Sequence, residues 1–471
     1  MWRNNNQYQG ANYNHPNVAS NLVQAFAITS DPQFPWTDNT DAGRPEDDGT
    51  KKRRSEELIR AQYRDINNYM NSLPSNVNGN VIINGDMTAF GHGTEWSKIN
   101  NLIQTLNRPY YYGLGNHDIE NNFSNCYNNG CFKNSLQNLI QHVRSRPVPI
   151  SFDYNVSGPY SWGYREHKGS FAYTLNLGAI CFIQLQHNPT MNKTADPEFW
   201  ASLNDKYTIV PNFNWVENQL RMARDNGKII IVNVHVKGNI SGDYTRLLQN
   251  YGVTAVFSGH FHTSLGTNGS VGNIPAFISG SASQSTYLIL EQYTDRLAIY
   301  TVRNNNWKAR QLVGTIPIST QLPIFSGRYK IITNLNNNSV VDMNPNNFNV
   351  HLWEDRNQLN AQWDFNYNQS AQAYVIRNAS NSNRVLAWNA PNPAIDRNVF
   401  ATPLVSGYDE HLWIIERGSN GLIFRNRKNP NLVLDVQDEH TANGTNIKVH
   451  QLHPATSGSR RAQEFHLRKM N

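Results

Sequence analysis

The sequence predicts a layered α/β domain followed by an all-β domain, and three observations lead to this fold class. Between Val23 and Val302, strand-like apolar runs alternate with helical patterns, as in α/β and layered α+β folds. After Gly327, short apolar runs are separated by Asn, Pro, Gly and Ser, without a convincing helical pattern. The stretch 313–325 contains two prolines and has no clear periodicity. A chain of 471 residues is long enough for two domains with proper cores.

The same patterns predict the boundaries of domains and elements. We expect a polar extension (1–20), the α/β domain (21–312), a linker (313–325) and the all-β domain (326–471). Apolar runs predict strands at 23–29, 81–83, 110–114, 171–185, 229–236 and 254–257. Apolar residues at helical spacing predict helices at 56–73, around 96–106 and around 214–225.

Composition argues against two classes of protein. Charged residues make up 16% of the chain and the net charge is +6, and the one dense basic run, 51–54, opens a predicted helix, where we expect it to be solvated. A nucleic-acid-binding face is therefore not favoured. The longest apolar runs, 177–185 and 229–236, are shorter than the roughly 18 to 20 residues that cross a bilayer. The first apolar stretch, 22–28, lacks a following small-residue cleavage site, so no signal peptide is evident.

The three cysteines cannot build a disulfide framework. Cys126 and Cys131 could close one small loop, whereas Cys181 lies in an apolar run and is interpreted as a buried packing residue. Cysteine usage therefore leaves the cellular compartment open.

Five polar segments of the first domain each follow an apolar run. They contain Asp31 and Gln33; Asp86; Asn116, His117 and Asp118; His235; and His260 and His262. Because ligands of α/β sheets gather at the carboxyl ends of strands, a single sheet would bring these side chains together. A bridging carboxylate, an amide oxygen and imidazoles are what two divalent metals about 3.5 to 4 Å apart require. A His-x-His pair alone can be structural, but five ordered segments favour a metal site.

In order and direction, these segments resemble the motifs of the calcineurin-like metallophosphoesterases: Asp-x-His, Gly-Asp, Gly-Asn-His-Asp/Glu, a lone His and Gly-His-x-His. The similarity covers roughly residues 25–277. It implies a β-sandwich flanked by helices that holds two metals. The implied ligands are Asp31, Gln33, Asp86 and His262 for one metal, and Asp86, Asn116, His235 and His260 for the other.

Gln33 departs from this family's usual motif, which has His at that position. An amide oxygen is a harder and weaker donor than an imidazole. We therefore expect two divalent ions, with Mn or Fe favoured and Zn or Mg as alternatives. Some branches of the superfamily also look like Asp-x-Gln here, so the change does not by itself imply an inactive site.

The resemblance implies hydrolysis of a phosphate ester, in which the metals bind the phosphoryl oxygens and activate a water for in-line attack. His117, oriented by Asp118, would protonate the leaving oxygen or stabilise the transition state. His92 and His187 are candidate substrate contacts, although loop histidines are more often bystanders. The metal ligands do not distinguish monoesters from diesters.

The second domain contains a threefold repeat, because Trp363, Trp413 and Phe465 recur about 50 residues apart, each after a polar element. This pattern resembles the ricin-type β-trefoil lectins, whose sugar sites use an Asp, an aromatic face and an Asn or Gln. The candidate sugar ligands are Asp342, His351, Trp353 and Asn360 in the first repeat, and Asp435, Lys448, His450 and Gln463 in the third. The second repeat has Ala387 in place of the Asp and is not expected to bind sugar. Alternatively, the trefoil is a scaffold or a protein contact.

Together, these expectations predict a binuclear phosphoesterase that its lectin domain directs to glycans or glycosylated surfaces. The alternative is a glycan-binding, toxin-like or structural protein whose phosphoesterase domain is a catalytically impaired scaffold. Action on nucleic acid is the least favoured option. The Asn-rich stretches 304–306 and 336–338, joined to a lectin trefoil, also look like some bacterial toxin and spore-associated proteins, which favours an extracellular or surface location.

Overall fold

The computed structural model describes residues 21–146, 150–198, 205–318, 322, 324–388, 397–418, 421–454 and 457–470. The predicted polar extension, residues 1–20, lies outside the described residues.

The first domain is built from strands and helices in alternation, as predicted. Its strands are β1 Leu22–Thr29, β2 Asn78–Ile83, β3 Tyr110–Tyr112, β4 Ile150–Phe152, β5 Asn155–Ser157, β6 Glu166–Gly169, β7 Tyr173–Leu177, β8 Ile180–Gln184, β9 Lys193–Ala195, β10 Lys206–Ile209, β11 Ile229–Asn233, β12 Ala255–Ser258, β13 Leu265–Val271, β14 Ile274–Ser279, β15 Tyr287–Tyr293, β16 Arg296–Val302 and β17 Gln311–Pro317. Its α-helices are α1 Asp38–Asp41, α2 Asp48–Asn71, α3 Gly93–Leu102, α4 Asn116–Ile119, α5 Gly130–Arg144, α6 Phe213–Asp225 and α7 Gly242–Asn250.

Two mixed sheets form the centre of this domain. One has the order β17-β16-β15-β1-β2-β3 and the other β13-β14-β12-β11-β8-β7-β4. Phe26 of β1 packs edge-on against Phe182 of β8, with ring centroids 4.9 Å apart, so the sheets face each other across a shared core. The predicted layered fold is confirmed. The expectation that one sheet carries all five polar segments is wrong, because they follow strands of both sheets.

Two predicted boundaries also differ from the structure. The apolar run 171–185 forms two antiparallel strands, β7 and β8, because Gly178 takes a positive φ of 57° and reverses the chain. The predicted linker overlaps β17, which pairs with β16 as far as Pro317. The sheet therefore continues into the stretch 313–317, whose apolar residues lie on an edge strand.

The second domain is a β-trefoil, as predicted. Its strands are β18 Gly327–Thr333, β19 Val340–Met343, β20 Val350–Trp353, β21 Gln362–Asn368, β22 Ala373–Asn378, β23 Arg384–Trp388, β24 Val399–Pro403, β25 Trp413–Arg417, β26 Leu422–Asn426, β27 Leu432–Val436, β28 Ile447–Gln451 and β29 Phe465–Lys469. The first and last strands of each repeat pair around a closed ring, β18-β21-β22-β25-β26-β29, and the middle strands form hairpins. The repeated aromatics Trp363, Trp413 and Phe465 are fully buried in the common core.

The two domains contact each other through Asn226, the residue that ends α6. Its side-chain Nδ2 donates to the Leu467 carbonyl at 3.0 Å, and its Oδ1 accepts from the Leu467 N–H at 2.8 Å. Leu467 belongs to β29. The buried Asn226 amide therefore makes the same pair of hydrogen bonds to this strand that the backbone of a neighbouring strand would make. No described helix is long and apolar enough to cross a membrane.

Replacing Asn226 by Ala is expected to weaken the domain contact. Asn226→Ala leaves the Leu467 N–H and carbonyl without these partners, which costs about 1–3 kcal/mol of unfolding free energy. Urea denaturation followed by tryptophan fluorescence measures this loss. Asn218→Ala, at an exposed position of α6, is the matched control. Equal stability of the two variants would contradict the proposed contact.

Candidate functional site

The polar segments predicted from the sequence converge at the strand ends of both sheets. Asp31 and Asp86 lie beyond β1 and β2 of one sheet, and His235 and His260 lie beyond β11 and β12 of the other. The Asp31 N–H donates to the Gly85 carbonyl at 3.0 Å. His235 Nδ1 lies 2.7 Å from the Asn84 carbonyl, and this hydrogen bond joins the two sheets. The site is therefore shared between the sheets.

Two glycines permit this close approach. Gly85 has a φ of 97°, and a Cβ there would lie 2.8 Å from both the Gly115 nitrogen and His235 Nδ1. A Cβ on Gly115 would lie 2.1 Å from Asp86 Oδ1. Both distances are shorter than van der Waals contact, so side chains at these positions would push the strand ends apart.

One group of predicted ligands surrounds the carboxylate of Asp86. His235 Nε2 lies 3.0 Å from Asp86 Oδ2 and 3.0 Å from Asn116 Oδ1. The ligating atoms of Asp86, His235 and His260 all lie within 4.8 Å of one another. All four residues predicted to bind the second metal therefore lie in one cluster. Asp86, Asn116 and His235 are buried, and His260 is partly exposed.

The remaining predicted ligands lie on the other side of the same cluster. His262 Nε2 is 3.4 Å and His235 Nε2 is 3.8 Å from Asp31 Oδ1. Gln33 is fully buried, and its backbone N–H donates to the Asp86 carbonyl at 2.9 Å. Its coordination of a metal stays a prediction.

The unsatisfied atoms of this cluster fit a binuclear metal centre. Both amide atoms of Gln33 are buried without a hydrogen-bond partner among the described residues, and the buried Asp31 Oδ1 and Asp86 Oδ2 lie 3.4 and 3.0 Å from the Nε2 atoms of His262 and His235. Buried polar atoms are normally paired, and atoms left free beside imidazoles have the chemistry of metal ligands. The donor set of carboxylates, amide oxygens and imidazoles therefore fits two divalent ions.

The backbone is strained at four of the seven predicted ligands. Asp31, Gln33, Asp86 and His260 have φ values of 52°, 39°, 49° and 77°. Non-glycine residues rarely occupy this left-handed region, and such strain collects at functional sites.

Opposite charges stabilise each other within the cluster. Burial disfavours the charged forms of Asp86 and His235, but their attraction outweighs it, so the pKa of Asp86 is lowered and that of His235 is raised. Burial likewise opposes charge on His262, yet the carboxylates of Asp31 and Asp41 raise its pKa to about 10. The acidic groups thus provide a strongly cation-binding environment.

Asp41 is a functional candidate that the sequence analysis missed. Its Oδ1 lies 2.6 Å from His262 Nδ1 and accepts from Trp36 Nε1 at 2.7 Å, while Oδ2 accepts from Ser283 and Gln284. A carboxylate on the far nitrogen of a metal-ligating imidazole fixes its tautomer and ring orientation. The acidic stretch 38–41 shortly after Asp31 is the only sequence signal that could have suggested it.

Arg54 supports the short helix that carries Asp41. Its guanidinium forms two hydrogen bonds to Asp38, at 2.6 and 2.7 Å. The basic run 51–54, interpreted from the sequence as a solvated helix start, therefore includes one residue that anchors α1.

The predicted orientation of His117 by Asp118 is wrong. His117 Nδ1 instead lies 2.8 Å from the Ala89 carbonyl. The Asp118 carboxylate is fully buried and accepts from the backbone of Met87, Thr88 and Gly115, each at 3.0 Å. Burial and the nearby Asp86 raise the pKa of Asp118 to about 7. Asp118 thus holds the loops of the site, and a carbonyl fixes His117.

His117 itself lies beside the cluster of predicted metal ligands. Its backbone N–H donates to Asp86 Oδ1 at 2.9 Å, and its ring meets Trp36 edge-on, with centroids 5.3 Å apart. Because a carbonyl only accepts, Nδ1 carries a proton and Nε2 is the atom available to a substrate.

The two candidate substrate histidines differ. His187 is buried near the cluster, with its ring centroid 6.3 Å from that of His235 and its Nε2 2.9 Å from Glu120 Oε2. Burial and the neighbouring His235 lower its pKa. His92 is the N-cap residue of α3 and lies 3.1 Å from Glu95. The structure therefore gives His92 a helix-capping role and places His187 beside the predicted ligand His235.

The disulfide left open by the sequence is present, joining Cys126 and Cys131 next to α5. Cys181 is a buried free cysteine, as interpreted from the sequence.

In the first trefoil repeat, the four predicted sugar ligands lie together. Asp342 Oδ1 accepts from Asn360 Nδ2 at 2.9 Å and lies 3.1 Å from His351 Nε2. The rings of His351 and Trp353 stack with centroids 5.2 Å apart, and Trp353 remains partly exposed. Gln358, which the sequence analysis missed, donates to Asp342 Oδ2 at 3.2 Å.

The third repeat also brings its predicted residues together. Gln463 Nε2 donates to Asp435 Oδ2 at 2.9 Å, and Lys448 lies opposite Asp435 on the paired strand. In the second repeat, Ala387 is fully buried, as expected for a repeat without a sugar-binding carboxylate.

Comparisons with known proteins agree with both domains. Residues 25–264 match the family described as calcineurin-like phosphoesterase, and residues 359–450 match the ricin-type beta-trefoil lectin domain-like family.

Individual relatives match smaller parts of the chain. Pierisin of Pieris brassicae is 32% identical over 151 residues, which are 31% of this chain and 18% of that protein. The main hemagglutinin component type C of Clostridium botulinum C phage is 31% identical over 120 residues, 23% of this chain and 40% of that protein. A mosquitocidal holotoxin structure is 21% identical with a TM-score of 0.29, covering 43% of this chain and 26% of that one. The chain thus spans less than half the length of each.

The family match to residues 25–264 covers half of the chain. The chain therefore belongs to the calcineurin-like phosphoesterase family, and a ricin-type β-trefoil lectin-like domain follows its phosphoesterase domain.

Proposed function

We propose that the first domain hydrolyses phosphate esters with two divalent metal ions. The observation that carries this proposal is the buried cluster of Asp31, Asp86 and His235, in which the His235 Nε2 atom lies 3.0 Å from Asp86 Oδ2 and 3.8 Å from Asp31 Oδ1. The left-handed backbone at Asp31 and Asp86 adds support, because the fold holds strained residues at this point.

The residues of the chain would divide the work of the reaction. Asp31, Gln33, Asp86 and His262 would hold one ion, and Asp86, Asn116, His235 and His260 the other. When bound, the two ions would supply Lewis acids for the phosphoryl oxygens and a nucleophilic water at neutral pH. We propose Mn or Fe as the favoured ions, because amide and carboxylate oxygens supply much of the ligand set.

Proton transfer to the leaving group falls to His117. With Nδ1–H held by the Ala89 carbonyl, the doubly protonated ring would transfer its Nε2 proton to the leaving oxygen, or donate a hydrogen bond to it, and become neutral. We propose His187 as a substrate contact, since its ring lies beside that of His235 and its Nδ1 has no hydrogen-bond partner among the described residues.

The trefoil would bind a glycan through its first repeat. A carboxylate flanked by amides, with a partly exposed indole beside it, can bind sugar hydroxyls and the apolar face of a sugar ring. Attachment to a glycosylated surface would raise the local concentration of substrate without changing the chemistry. An extracellular or surface location is consistent with this role.

The alternative function is that of a glycan-binding or toxin-like protein whose phosphoesterase domain is a scaffold. Gln33 in place of the family's usual His favours it, and relatives include pierisin and a hemagglutinin component. Metal content and hydrolysis separate the two functions.

Replacing the shared ligand is expected to remove both metals. After incubation of the full chain with Mn²⁺, we expect about two metal ions per chain by elemental analysis, and loss of metal and of p-nitrophenyl phosphate and bis(p-nitrophenyl) phosphate hydrolysis in Asp86→Asn. Asp243→Asn, at an exposed position of α7, is the control. An unmodified chain that takes up no metal would sink the enzyme proposal and leave the scaffold alternative.

Removing the negative charge of Asp41, which contacts His262 Nδ1, is expected to lower the affinity for the metal ion that His262 is predicted to bind. Asp41→Asn keeps the shape of the side chain but loses the charge that orients the imidazole, so metal affinity should fall about 10- to 100-fold. Mn²⁺ titration of the chelator-treated chain measures this change, with Asp48→Asn, whose side chain is 94% exposed, as the control. Unchanged affinity would show that Asp41 serves the fold alone.

Glycan binding is expected to depend on the first repeat. Asp342→Asn and Trp353→Ala should each lower affinity on a glycan array about 10- to 100-fold, because a charged hydrogen bond or a stacking face is lost. Tyr408→Ala, which truncates an exposed aromatic of the second repeat, is the matched control. Retained binding in both first-repeat variants would contradict this assignment.

A further inference from the structure

A second cluster of metal-ligating side chains lies in the third trefoil repeat, far along the chain from the phosphoesterase motifs. One ligating atom each from Asp435, His450 and His453 lies within 4.8 Å of the others. They line a cavity of about 190 Å³. Ligand atoms about 2 Å from a common ion lie roughly 3 to 4 Å apart, so small side-chain movements bring these three into coordination distance.

The hydrogen bonds of the cluster prepare His450 as a ligand. His450 Nδ1 lies 2.9 Å from the Gln451 carbonyl, which only accepts, so Nδ1 carries the proton and Nε2 keeps its lone pair. A backbone carbonyl on the far nitrogen is the usual support of a metal-ligating imidazole. The His450 and His453 rings stack with centroids 5.0 Å apart, which places both imidazoles on one side of the pocket.

Gln463 holds the other two side chains in place. Its Nε2 donates to Asp435 Oδ2 at 2.9 Å, and its Oε1 accepts from the His453 N–H at 2.8 Å. Asp435 is only 4% exposed, so its carboxylate is buried and oriented. One amide thus positions both the carboxylate and the loop that carries the second imidazole.

The strand register shows why this repeat differs from the first. Asp342 lies opposite His351, and Asp435 lies opposite Lys448, so Lys448 corresponds to His351. Two residues further along each strand, His450 takes the place of Trp353. An imidazole is a smaller stacking face than an indole but a much better metal ligand.

The charge around the pocket also favours a cation. Asp438 and Glu439 line it together with Asp435, and Lys448 Nζ lies 3.6 Å from Asp438 Oδ1. Three acidic residues and one lysine therefore line the pocket. Two imidazoles and a carboxylate suit a transition metal such as Zn²⁺ rather than Ca²⁺ or Mg²⁺, which prefer oxygen ligands alone.

We propose that the third repeat binds Zn²⁺ through Asp435, His450 and His453. The ion takes the carboxylate that a sugar would need, so the first and third repeats have different ligands. This assignment does not depend on the function of the phosphoesterase domain.

The test compares the zinc content of chains with and without the third-repeat cluster, all of which carry Asp86→Asn to remove the predicted binuclear site. The full chain carrying Asp86→Asn is treated with a chelator, incubated with Zn²⁺ and desalted. We expect about one zinc per chain to remain, and that zinc to be lost when His450→Gln and His453→Gln are added. His440→Gln, at an exposed position of the same repeat, should keep the zinc.

Circular dichroism establishes that each variant is folded. Should the double variant unfold, Asp435→Asn, which preserves side-chain shape, serves for the same comparison. Equal zinc content with and without the cluster substitutions, or no zinc in the Asp86→Asn parent, would overturn the proposal.

Discussion

The buried carboxylate of Asp118 is the interaction on which the phosphoesterase site depends. It accepts backbone N–H groups from the loops after β2 and β3, and also the Thr88 hydroxyl at 2.8 Å. A buried charge is costly unless it is satisfied by hydrogen bonds. These donors form hydrogen bonds to the Asp118 carboxylate, and the same bonds fix the distance between the two loops. Asp86 and Asn116, which belong to those loops, consequently lie side by side.

The second constraint is the junction between the two sheets. Asp31 and Asp86 follow strands of one sheet, and His235 and His260 follow strands of the other. The site therefore forms only when the two sheets pack in this relative position. The bond between His235 Nδ1 and the Asn84 carbonyl ties the ring of this predicted ligand to the opposite sheet. Because Gly85 allows the strand ends to approach, this bond also determines the spacing of the ligands. Packing and ligation therefore reinforce each other.

Much of this organisation could be predicted from the sequence because its signals are local. A short polar motif after an apolar run predicts both a strand and its candidate ligand, as at Asp86 and His235. Contacts between distant segments give no such signal. Asp41 contacts His262 across more than two hundred residues, and the division of the motifs between two sheets depends on pairing that periodicity does not encode. For the same reason, the sequence predicts a linker at residues 313–325, where the structure has part of the edge strand β17.

Gln33 provides an argument about whether the first domain is an enzyme or a scaffold. Its amide is fully buried, and neither polar atom has a hydrogen-bond partner among the described residues. An unsatisfied buried polar group costs about 1–3 kcal/mol, whereas an apolar side chain of similar size would cost nothing of the kind. Its strained φ of 39° adds to that cost. In a scaffold, nothing would compensate for this free-energy cost. A metal ion beside Asp31 and Asp86 would be bound by the Gln33 amide oxygen, and this bond would offset the cost. The buried amide of Gln33 thus supports the proposal that this residue is a metal ligand in place of the usual His.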